Sequence, residues 1–110
     1  MRSRLLLTSV LALGFAVAAH ADETPQVAHG HQLAQDYCSA CHAIGPYGAS
    51  PNPHSPPFRT LHERYPVEDI QEALVEGIST GHHGMPVFKF DEAASNDLIA
   101  YLKTLETPKK

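Results

Sequence analysis

The sequence predicts a small helical domain, and three observations carry that prediction. Three stretches, from Thr24 to about residue 40, from Tyr65 to Gly77 and from Asp91 through Leu105, hold apolar residues at helical spacing behind capping or proline start signals. Two aperiodic loops, one rich in proline and one in glycine, separate them. The segment ahead of the first stretch reads as a processing signal and not as part of the fold.

That leading segment is residues 1–21. Arg2 and Arg4 precede an apolar run over residues 5–19, broken only by Thr8, Ser9 and Gly14, and Ala19-His20-Ala21 supplies a small-x-small cleavage site. The run is short for a bilayer span, so the expectation is a cleaved signal peptide, export to the periplasm and no stable membrane insertion. The domain then occupies residues 22–110. Removing 21 of 110 residues leaves 89, enough for one small domain but short of a generous apolar core. Losing Arg2 and Arg4 takes the eight Lys and Arg to six against twelve Asp and Glu, a formal charge of −6. Such acidity argues against nucleic acid and anionic lipid as partners, and favours a protein with a basic docking face.

The first helix starts with Thr24 as N-cap and Pro25 in its first turn. Gly30, Ala34 and Tyr37, with Cys41 one turn on, form its inward face. A glycine inside a helix costs stability, so Gly30 points to another helix crossing close to the backbone. The loop that follows, Ser50-Pro51-Asn52-Pro53-His54-Ser55-Pro56-Pro57, is stiffened by fixed φ angles. In the second helix, opened by Tyr65-Pro66, Val67, Ile70, Leu74 and Ile78 share the apolar face. Glu68, Glu72 and Glu76 recur on the opposite one, an unpaired solvated row that could also dock a basic partner. Asp91 caps the last helix, whose stripe of Leu98, Tyr101, Leu102 and Leu105, with Ile99 beside it, places Tyr101 against the gap left by Gly30.

The chemistry centres on Cys38-Ser39-Ala40-Cys41-His42. Two thiols at this spacing can reach the two vinyl groups of one porphyrin, and the adjoining imidazole can bind its iron: the attachment signature of haem c. A redox dithiol would need a βαβ setting, and a zinc site two more ligands, for which His29, His31, His82 and His83 are available. Neither accounts for His42. An iron-bound imidazole needs an acceptor for its other N–H, for which the carbonyl of Pro56 is first choice, with Pro57 and Pro46 open. Phe58 and Leu61 are natural pocket walls. Met85, before Pro86 and 43 residues beyond His42, is the candidate second axial ligand. His82 or His83 could displace its sulfur if the loop moved. An accessory copper or zinc site from His29, His31, His54 or His62 lacks convincing spacing. A buried haem would supply the apolar surface the chain lacks, so the haem-free chain is expected to fold poorly.

Gly30 and Ala34 ahead of Cys38-x-x-Cys41-His42, the proline-rich loop, Met85-Pro86 and the closing Leu98-Ile99-Ala100-Tyr101-Leu102 run through the whole processed chain. With these features it resembles a class I monohaem cytochrome c of the small bacterial periplasmic type. The resemblance implies an all-α fold whose N- and C-terminal helices cross, with a third helix and loops around one covalent haem c. It also implies His42 and Met85 as axial ligands and one-electron transfer between redox proteins, not enzymatic turnover. The protein would act as a monomer or as a subunit of a redox complex. Two departures are His82-His83 and the scarcity of lysine, which makes relatives that dock through a basic ring a poor guide to the partner. Two other readings stay open: a haem-bearing subunit of an exported dehydrogenase or oxidase, and a gas-binding haem sensor if Met85 does not ligate.

Overall fold

The computed structural model describes residue 14, residues 23–77 and residues 84–106 of the chain. Apart from Gly14, the expected signal segment lies outside the described residues, as do Ile78 and the His82-His83 pair. Among the described residues the regular structure is three α-helices and one 3-10 helix, with no strand.

Helix α1 is Pro25–Tyr37, and the Thr24 hydroxyl accepts from Val27 N–H to cap it. It ends about three residues before the sequence predicts. Ser39 closes the helix: its N–H reaches Ala34 O at 3.1 Å and its hydroxyl donates to Gln35 O at 2.6 Å, so the Cys-x-x-Cys-His stretch leaves the helix in turns. Tyr37, expected on the inward face, is 50% exposed, with its ring edge-on to Phe88 and Phe90. The 3-10 helix, Phe58–Glu63, was not foreseen in the sequence, where the proline-rich loop obscured so short an element. Helix α2 is Asp69–Glu76, starting later than the Tyr65-Pro66 signal suggests. Residues 66–71 are wound by i to i+3 bonds, Pro66 O to Asp69 N, Val67 O to Ile70 N and Glu68 O to Gln71 N, before the wider α spacing takes over. Gly77 ends α2 at φ +75°, a left-handed position that suits glycine. Helix α3 is Glu92–Thr104, capped by Asp91 Oδ1 accepting from Ala94 N–H at 2.7 Å.

Both α1 and α2 pack on α3. The α1–α3 contact is closest at Gly30, where an added Cβ would lie 1.9 Å from Asp97 O and 2.9 Å from Tyr101 Cβ. Only a residue without a side chain permits that approach. Ala34, Leu98, Ile99, Tyr101 and Leu102 fill the junction, and Val67, Leu74, Phe58, Leu61 and Ile44 extend the core toward the loops. Tyr101 links the two regions: its ring stacks on His31 at 4.6 Å and its hydroxyl donates to Ile44 O at 2.6 Å. The helix pair thus grips the loop that follows His42. The row of glutamates is not wholly unpaired, because Glu68, just ahead of α2, forms an ion pair with Lys103 of α3.

Candidate functional site: a cleft between the Cys-x-x-Cys-His turn and Met85

The turn after α1 is set by backbone bonds from Cys41 N–H and His42 N–H to Cys38 O, at 3.2 and 2.9 Å. The proline-rich loop is then pinned to it at several points: Ala43 N–H to Ser50 Oγ, Asn52 N–H to Cys41 O and Phe58 N–H to Ala43 O. Arg59 adds a bond from Nη1 to Gly48 O at 2.7 Å. The loop therefore stands where His42 needs an acceptor. His42 Nδ1 lies 2.8 Å from Pro56 O, which leaves Pro57 and Pro46 without that role. A carbonyl oxygen only accepts, so Nδ1 carries the proton and Nε2 presents its lone pair to the cleft, the tautomer a metal ligand requires. Phe58 tilts against the imidazole with ring centres 5.0 Å apart and holds its plane.

Two adjoining cavities, of about 390 and 340 Å³, share Cys38, His42, Pro56, Phe58, Met85 and Phe88 as walls and so form one cleft. Cys41 lines the first lobe; Leu61 lines the second. The structure thus brings together all seven residues singled out from the sequence: Cys38, Cys41, His42, Pro56, Phe58, Leu61 and Met85. Sequence reasoning missed Phe88 and Phe90, because apolar Val87 beside them hides the alternation that the structure shows, with Val87 and Lys89 exposed and the two rings turned inward. It also missed Leu98 and Leu102 as walls of the second lobe, having assigned them only to the helix core.

The donor set fits haem c. Burial pushes the Cys38 thiol up to about 11, whereas a reactive dithiol depends on a lowered value. Among the described residues no group of three or more His, Cys, Asp and Glu side chains comes together to hold a metal ion. What the cleft offers is a largely apolar chamber lined by the Cys38 and Cys41 thiols, the His42 and His54 imidazoles and the Met85 thioether, with His42 and Met85 on both lobes and His54 on the first alone. Among the same residues no helix is long and apolar enough to cross a membrane.

Comparison with known proteins agrees. The family model described as Cytochrome c matches residues 27–106, from the first turn of α1 to just beyond α3. No curated protein and no solved structure matches the chain. Since the match spans most of the sequence and the helices meet around a cleft suited to the group that this family binds, the chain belongs to the cytochrome c family, all-α proteins that carry covalent haem c and serve in electron transfer.

Proposed function

We propose that the protein is a periplasmic one-electron carrier in which Cys38 and Cys41 hold one haem c by thioethers and His42 Nε2 and Met85 Sδ are its axial ligands. The observation that carries this reading is the convergence of His42 and Met85, 43 residues apart in sequence, on both lobes of one cleft with Cys38. Haem supplies the one-electron iron couple when bound. The chain supplies a fixed setting. Pro56 O and Phe58 hold the His42 ring in one orientation, so the imidazole need not move between oxidation states. A thioether from Met85 favours the reduced state, and the apolar walls Leu61, Leu74, Phe88 and Leu98 keep water from the ligands.

The apolar, cleavable character of residues 1–21 supports export. Excess acid over base supports a redox partner with a basic docking face, reached faster at low salt. Carbon monoxide added to the reduced protein tests the closed site: no spectral change is expected for the wild type, and binding is expected for Met85→Ala. Ready binding by the wild type would mean an open position and a gas-binding role.

A further inference from the structure

Residues 84–90, which carry Met85 toward the Asp91 cap of α3, form an irregular segment held to the body by side-chain alternation. Val87 and Lys89 lie against the bare Cα of Gly77, where a Cβ would sit 3.7 Å from Val87 Cγ1 and 3.6 Å from Lys89 Cβ. Phe88 and Phe90 turn the other way and line the cleft, and Phe90 N–H donates to Leu74 O at 2.9 Å. One residue of α1 meets both aromatic rings. Tyr37 stands edge-on to Phe88 with centroids 5.8 Å apart at 73°, and edge-on to Phe90 at 5.2 Å and 81°. These are favourable aromatic geometries, made by a residue that itself lines the first lobe of the cleft.

Tyr37 is the last residue of α1 and is bonded directly to Cys38. We propose that Tyr37 is a positioning residue, latching the Met85 segment onto the helix that bears the haem attachment and so setting how often the sulfur leaves its axial place. This rests on Met85 being the sixth ligand. The Tyr37 contacts exist only while the segment is closed, whereas an added ligand reaches the iron position only when it opens. The apparent affinity for such a ligand therefore scales with the open fraction, and losing two edge-on contacts raises that fraction about tenfold.

Imidazole titration of the ferric haem-loaded protein tests this. Tyr37→Ala is expected to bind imidazole about tenfold more tightly than wild type, and Tyr37→Phe, which keeps the ring, like wild type. Should Tyr37→Ala fail to accumulate with haem, Tyr37→Leu makes the same comparison with apolar bulk retained. Unchanged affinity in the Ala or Leu variant overturns the latch, as does an equal shift in Tyr37→Phe. Met85→Ala, titrated alongside, separates the two ideas: wild type binding as tightly as Met85→Ala would overturn the ligand assignment itself and the latch with it.

Discussion

At the scale of single residues, three positions fix the site by means that have little to do with their bulk. Gly30 sets the distance between α1 and α3, and Gly30→Ala would place a carbon 1.9 Å from Asp97 O, far inside van der Waals contact. Because that neighbour is backbone, the helices must part, and we expect a loss of roughly 3 kcal/mol in denaturant unfolding. Pro56 offers only its carbonyl, which sets the His42 ring and its tautomer. Tyr101 does more than fill the space above Gly30, since its hydroxyl ties α3 to Ile44 O. Tyr101→Phe leaves that buried carbonyl without its donor and should cost about 1–2 kcal/mol. Burial, with the charge of Glu23 second, raises the Tyr101 hydroxyl above its ordinary value of 10.0. The contribution is therefore intact below pH 10.0 and is lost as pH rises through the higher folded value. A pH series of thermal melts should show this alkaline loss in wild type and not in Tyr101→Phe. The Gly30 and Tyr101 pairing was legible in the sequence, because an interior helical glycine demands a close neighbour. The bond to Ile44 was not, since nothing local links residues 57 positions apart.

At the scale of elements, the helices were legible in kind and less so in extent. Asp91 and Thr24 act as the caps their residue types announce. The end of α1 and the start of α2 each fell about three residues from expectation, because Ser39 bonds back to the helix and residues 66–71 wind as 3-10 turns. The acidic row changes meaning once Lys103 is seen beside Glu68. Its hydrogen bond with Lys103 holds the Glu68 carboxyl below its usual range, and the same bond raises the Lys103 ammonium. By linkage the glutamate's share is present above the unfolded carboxylate value and lost as pH falls through the lowered folded one. The lysine's share is present below its unfolded value and lost as pH rises through the raised one. The pair is therefore complete at neutral pH, yet both partners are about half exposed and screened by salt. Glu68→Gln should shift the melting temperature slightly at low salt and not at all in molar salt. A shift that survived molar salt would show a larger role for the contact.

At the scale of the whole molecule, a chain with few helices builds its core around a cleft and not in place of one. Phe58, Leu61, Leu74, Leu98 and Leu102 belong both to the apolar core and to the cleft wall. A group filling the cleft would thereby add buried surface to the same cluster that joins the helices, which stabilises the native state. The Cys-x-x-Cys-His motif makes the haem attachment legible from five consecutive residues, because they carry their own chemistry. The walls contributed by Phe88, Phe90 and the inner face of α3 were not legible, since they depend on how residues 84–90 lie against α1 and α2.

The central claim is that His42 and Met85 together close the iron. The absorption spectrum of the ferric haem-loaded protein tests it most directly, through the weak far-red band that a sulfur–iron bond gives. The band should be present in wild type and absent from Met85→Ala. Its absence from wild type, or its persistence in the variant, would contradict the assignment of Met85.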